Sequence, residues 1–265
     1  MKDFEIVRAA NGEARIRSYV RGSGPLVVVM PGLGRNPDDI VPLSRKIADA
    51  GFRVLLPETR GIGESSGRMD GITLRDLAAD VVAAIDAAGG GKAILIGHAF
   101  GNRVARAVAA YHPDRAVAVV CLGASGKVGP TPEVQKAIDA GKDKNATREQ
   151  RAAALRIASF GPGRDPTPWL DGWNEAVMKA CLAAATATPT AEWWTAGSAP
   201  VLIIQGLADV AAPPANGRML AEELGARGRL IELEGVGHSI LVEAPEETAA
   251  ALIPFLKEQA PRKVA

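Results

Sequence analysis

The sequence predicts an α/β protein: a mostly parallel, eight-stranded sheet with helices on both faces and a helical cap insertion. Three observations carry this expectation. Short apolar runs alternate with amphipathic stretches, several of them ended by glycine, which is the pattern of a parallel sheet covered on both sides. The first two runs instead flank a tight-turn signal and read as an antiparallel hairpin. One long segment, from Ser125 to Ser198, carries helical patterns and no convincing strand.

The elements follow in order. "EIVRA" and "ARIRSYV" flank Asn11-Gly12 and form the expected hairpin. "PLVVVM" (Pro25–Met30) is a buried strand leading through a Gly-rich loop into the amphipathic "DDIVPLSRKIADAG". "FRVLLP" (Phe52–Pro57) is followed after a loop by "TLRDLAADVVAAIDAAGG", a helix stopped by glycines. "AILIG" runs through a glycine-bounded turn into its helix, and "AVAVVCLG" (Ala116–Gly123) is the next strand. After the insertion come "PVLIIQG" (Pro200–Gly206) with the helix "NGRMLAEELG", then "RLIELEG" (Arg229–Gly235) and the closing helix "PEETAAALIPFLKEQ". The expected organisation is a core over residues 1–124 and 199–265, with the cap over 125–198. Within the cap, "TREQRAAALRIASF" and "WNEAVMKACLAAATA" read as helices. All four tryptophans, Trp169, Trp173, Trp193 and Trp194, fall there. Most of that aromatic area serves the cap's own core, but Trp169, Trp173 and Trp194 are candidates to line an apolar substrate pocket.

At 265 residues the chain suits one domain with an insertion. Its 31 basic and 30 acidic residues form no long run of either sign, which argues against nucleic acid or an anionic membrane as partner. The charged N-terminus does not read as a signal peptide, and no apolar run approaches membrane-spanning length. Cys121 and Cys181 lie far apart without metal-ligand spacing, so two free thiols in a cytoplasmic protein are expected. "GLGRNP" lacks the third glycine of a dinucleotide fingerprint, and "GGGK" lacks Walker spacing. No HExxH, paired CxxC or calcium-loop pattern occurs, so no metal or organic cofactor is expected, only a small-molecule substrate.

The residues that carry chemistry sit at strand ends. Gly97-His98-Ala99-Phe100-Gly101 has the layout of a nucleophile elbow, G-x-S-x-G, with alanine at the serine position. Asp209 follows the strand ending at Gly206, and His238 follows the last strand. A carboxylate on one ring nitrogen of a histidine fixes its tautomer and stabilises the imidazolium formed when the other nitrogen takes a proton. Either residue alone would suit a loop cap or a core histidine; the pair, in this order and behind these strands, points to a base.

In this arrangement the chain resembles the α/β-hydrolase fold superfamily over nearly its whole length. The resemblance implies Asp209 as the acid and His238 as the histidine of a triad. It also implies that the backbone N–H groups of Leu33, in "PGLGRN", and of Phe100 form an oxyanion hole. Pro31 stands where relatives carry histidine, a change that spares backbone donors. "PETRGIGESSG" resembles the family's D-x-R-G-x-G-x-S loop, with Glu58 at the aspartate position and Arg60 shaping the loop. Such domains often form dimers, so a homodimer is compatible with the reading.

Ala99 decides the chemistry. Losing a triad serine costs roughly 10⁶-fold in the best-studied protease case, so the chain as written is expected to be inactive as a serine hydrolase. Either a serine was replaced, or alanine is native and His238–Asp209 acts without a protein nucleophile. In the second case the base activates water or takes a proton from the substrate. The expected reaction is hydrolysis of an ester, lactone or similar acyl bond of a small, fairly apolar substrate. A non-catalytic binding protein of the same fold is the alternative from a different class.

Overall fold

The computed structural model describes residues 1–260. Its sheet has eight strands: β1 (Glu5–Asn11), β2 (Ala14–Arg21), β3 (Leu26–Met30), β4 (Arg53–Pro57), β5 (Ala93–His98), β6 (Ala116–Leu122), β7 (Val201–Gly206) and β8 (Gly228–Leu233), in the order β1-β2-β4-β3-β5-β6-β7-β8. β1 and β2 pair antiparallel, β2 joins β4 antiparallel, and every later pairing is parallel. The hairpin turn lies one residue later than the Asn-Gly signal suggests. Asn11 still pairs with Ala14, leaving Gly12-Glu13 as the two-residue loop, and Gly12 takes the positive φ (+56°) that such a turn needs.

Alternation along the strands splits the core into two layers. Leu95, Val119 and Ile203 face one side, where they meet α2 (Leu74–Ala87), α3 (Phe100–Tyr111) and α7 (Ala215–Leu224). Ile96, Val120, Leu202 and Ile204 face the other and meet α1 (Val41–Asp49) and α9 (Pro245–Gln259). β5 and β7 are buried at every residue, as both-face coverage requires. α2 starts where its sequence allows: the Thr73 N–H and hydroxyl both donate to the Asp76 carboxylate, at 2.8 and 2.7 Å.

Between β6 and β7 lie α4 (Pro132–Lys142), α5 (Arg148–Ser159) and α6 (Glu175–Ala187), with no strand of the sheet. This segment is not one aromatic unit. Trp169 and Leu170 pack with Phe160 and Leu155 in a small core of their own. Trp193 and Trp194 instead join the main sheet core beside α3. β3 is flanked by β4 on one side and β5 on the other, so strand order reverses there. Such a switch point opens a crevice at the carboxyl ends of the strands. Among the described residues no helix is long and apolar enough to cross a membrane.

Candidate active site

β5 delivers Ala99 into the sharp turn before α3. Ala99 sits at φ +49°, ψ −111°, a region that costs a residue with a Cβ on the order of 1–3 kcal/mol. Its N–H donates to the Leu122 carbonyl at 2.9 Å, which ties the turn to β6. The flanking glycines are there for space. A Cβ on Gly97 would enter the backbone of Gly101 and Asn102, and one on Gly101 would lie 2.5 Å from the Met30 and Pro31 carbonyl oxygens. The five-residue motif therefore reflects close packing of the turn against both its own helix and the β3 loop.

In the loop after β8, His238 Nδ1 lies 2.8 Å from Asp209 Oδ2. Asp209 is buried and further fixed by the Ala212 N–H (2.7 Å) and by Gln205 Nε2 (3.2 Å). Gln205 in turn accepts from the Ala124 N–H at 2.9 Å, so the end of β7 and the end of β6 hold the carboxylate together. With Nδ1 engaged, Nε2 is left without a hydrogen-bond partner among the described residues, and His238 lines the central cavity.

Two groups brace this histidine that sequence reasoning did not single out for that task. His98 Nε2–H donates to the His238 carbonyl at 2.8 Å, and the two rings lie 5.2 Å apart. Burial, followed by the proximity of His238, pushes His98 down to about 3, so it stays neutral. Glu243, at the end of α8 (Ile240–Glu243), is buried and accepts from the N–H groups of Gly237 (3.0 Å) and Ser239 (3.0 Å), on either side of His238. The same carboxylate accepts from Gly161 N–H in the insertion at 2.6 Å. Burial raises its pKa against the opposing pull of these three donors. The available signal was a carboxylate four residues beyond Ser239, on the same helical face.

The cavity encloses about 230 Å³ and is lined by Leu33, Ala99, Phe100 and His238 from the sheet side. Neither the Leu33 nor the Phe100 N–H has a protein acceptor among the described residues. Trp169 and Trp173 line it from the insertion, and Trp169 packs edge-on against both His98 and His238. Trp194 does not line it, contrary to the sequence expectation. It is buried with Trp193 around the guanidinium of Arg106, 4.7 and 4.8 Å from the two ring centres. Arg106 is itself fully buried, donates to the carbonyls of Asn102, Ser125 and Trp194, and draws both indoles into the core as its cover. The wall is also less apolar than expected, since Arg103 and Lys142 both reach it.

Arg60 pairs with Asp80 through two bonds of 2.7 Å, and Glu58 accepts from Arg17 and Tyr19, so this loop is held away from the cavity. Another depression, lined by Arg17, Glu58 and Trp173, holds neither histidine nor elbow. Among the described residues no cluster of His, Cys, Asp and Glu could hold a metal ion, and Cys121 and Cys181 are buried free thiols.

Comparison with known proteins places the fold. A family model described as alpha/beta hydrolase fold matches residues 25–245. A protein of Caulobacter sp. (strain K31) named as a carbamate hydrolase, RutD, is 29% identical over 255 residues, spanning 88% of this chain and 91% of that protein. Epoxide hydrolase A of Mycobacterium tuberculosis (strain ATCC 25618 / H37Rv) is 28% identical over 269 residues, spanning 79% and 83%. A thermophilic esterase from Thermogutta terrifontis superposes with a TM-score of 0.77 at 20% identity, covering 97% of this chain and 99% of the esterase.

Proposed function

Because the chain belongs to the alpha/beta hydrolase fold family, we propose that it hydrolyses an ester, lactone or similar acyl bond by general-base catalysis without a covalent intermediate. The observation that carries this is the His238–Asp209 pair at 2.8 Å, whose second ring nitrogen is unpartnered on a cavity that also exposes the Ala99 methyl group. Relatives named as carbamate and epoxide hydrolases support a hydrolytic activity.

The steps follow from the groups present. His238 Nε2 takes a proton from water while the hydroxide oxygen bonds to the acyl carbon. Asp209 holds the imidazolium that forms. The carbonyl electrons move onto oxygen, where the Leu33 and Phe100 N–H groups receive the charge. Collapse of the tetrahedral species expels the alkoxide, which recovers the proton from Nε2. With a methyl group at residue 99, the attacking oxygen belongs to water and not to the protein.

A fluorophosphonate probe and an ester panel test this together. The unaltered chain turns over a short acyl ester but takes no label at residue 99, and His238→Ala lowers kcat/KM by about 10²–10⁴-fold. Ala99→Ser becomes labelled and shows a burst of product from an acyl-enzyme. Turnover that survives in His238→Ala would overturn the reading, as would covalent labelling of the unaltered chain.

A further inference from the structure

The cavity wall holds two cations, Arg103 and Lys142, that form no salt bridge among the described residues. Arg103 stands one turn beyond Ala99 on α3, and its Nε donates to Ser125 Oγ at 3.0 Å. Its two terminal nitrogens have no protein acceptor among the described residues. Ser125 Oγ in turn donates to the Ala99 carbonyl at 3.3 Å, so this guanidinium is anchored to the elbow. Lys142, the last residue of α4, approaches from the insertion with Nζ 4.9 Å from the centre of the Trp173 ring. Neither pairs with a carboxylate among the described residues, and burial pushes both pKa values below their ordinary ranges.

The other charges on the cavity do not alter this. Arg35 is matched by Asp39 through bonds of 2.6 and 2.7 Å, with Trp173 and Trp169 against its face. Asp139 lies one turn before Lys142, exposed, and accepts from Gln135 at 2.9 Å. Counting Arg103 and Lys142 against Asp139 leaves one positive charge facing the space between the elbow and the insertion. Holding partly desolvated cations without counter-charge is costly, and a ligand that brings the missing charge recovers that cost.

We propose that the substrate is an acyl compound carrying a carboxylate, gripped by the planar fork of Arg103 and the ammonium of Lys142 while its acyl carbon lies beside Ala99. This rests on the hydrolytic reading of the same site. A monoanion matches the single surplus charge, whereas a phosphate dianion would leave one negative charge facing Asp139. A guanidinium fork also fits the two oxygens of a carboxylate. The cavity is therefore divided by chemistry. His238 and the elbow face the scissile bond, and the cations face the far end of the acid chain.

Two measurements separate this proposal from the hydrolytic reading. Binding of 5-oxohexanoate, a non-hydrolysable monoanion in which a ketone replaces the ester, is followed by calorimetry, with inorganic phosphate as the rival anion. Hydrolysis of monomethyl glutarate is compared with that of methyl pentanoate, a neutral ester of similar length. The parent protein should bind 5-oxohexanoate at least tenfold more tightly than phosphate and favour the anionic ester at least tenfold in kcat/KM. Arg103→Gln and Lys142→Gln should each weaken 5-oxohexanoate at least tenfold and shrink the ester preference, with Arg103→Lys recovering part of both. Equal handling of the two esters, or 5-oxohexanoate binding unmoved by these changes, overturns the carboxylate assignment even if hydrolysis stands. Tighter binding of phosphate overturns it in favour of a phosphorylated ligand. Arg103-dependent 5-oxohexanoate binding with neither ester hydrolysed retains the subsite and removes the hydrolytic reading. Should Arg103→Gln fail to fold, Lys142→Gln and Arg103→Lys carry the same comparison.

Discussion

On the sheet side of the cavity, Leu33 follows β3, Ala99 follows β5 and His238 follows β8, each beyond the carboxyl end of its strand. On the side of the insertion, Trp169 sits in a short connecting turn, Trp173 between elements and Lys142 at the last residue of a helix. The first wall inherits its rigidity from a sheet buried on both faces. The second rests on the small core around Phe160, Leu155 and Trp169, and reaches the main core through Val177, Cys181 and Ala184 of α6. Substitutions in the first wall should therefore damage the chemical step, and those in the second should damage binding or local stability.

The sharpest test of that contrast is Asp209→Asn. The amide keeps the volume but favours the wrong imidazole tautomer, so kcat should fall about 10²–10⁴-fold with KM little changed. Steady-state kinetics on a short ester reads this, and a loss confined to KM would erase the distinction between the walls.

Next in size is Trp169→Ala, where the walls touch. It removes an indole packed on Phe160, His98 and His238, and should cost about 3 kcal/mol in a urea titration. A loss under about 1 kcal/mol would mean that the insertion stands without it.

The effect that is smallest per step is a matter of pH. Folded His98 stays neutral down to about pH 3, while the unfolded chain protonates it near its ordinary value. Between those limits the unfolded state binds the extra proton, so stability is lost on acidification, by up to about 1.4 kcal/mol per pH unit. Urea midpoints measured between pH 4 and 7 should slope less in His98→Gln than in the parent. Equal slopes would show that His98 is solvated.

Much of the first wall was legible in the sequence, because its motif residues are tied to strands that apolar periodicity locates. The order of Ala99, Asp209 and His238 along the chain, each behind its strand, needs no knowledge of the insertion. What escaped were relations set by burial. Trp194 reads like any aromatic of the insertion until Arg106, an ordinary arginine in an amphipathic helix pattern, proves to be fully buried and in need of cover. Arg103 and Lys142 read as solvated surface charges, since no spacing rule reveals that a cation lacks a partner. His98 and Glu243 brace His238 through backbone groups, so the spacing of Glu243 from Ser239 is the one trace that this bracing leaves in the sequence.

The Glu243 carboxylate has a consequence for how this chain could be recombined. A graft that replaced residues 125–198 with the corresponding segment of another protein has two chain joins, after β6 and before β7. There is a third, at Gly161, where a backbone N–H of the insertion donates to the buried Glu243 carboxylate beside the His238 loop. A Cβ at Gly161 would also collide with the Gly235 carbonyl, so the donor segment must bring a glycine in register as well as an N–H. Residues 160–161 and 235–243 thus form one transplantable unit, although about seventy residues of chain separate them, and a chimera that divides them should misplace His238 even when both outer joins are perfect.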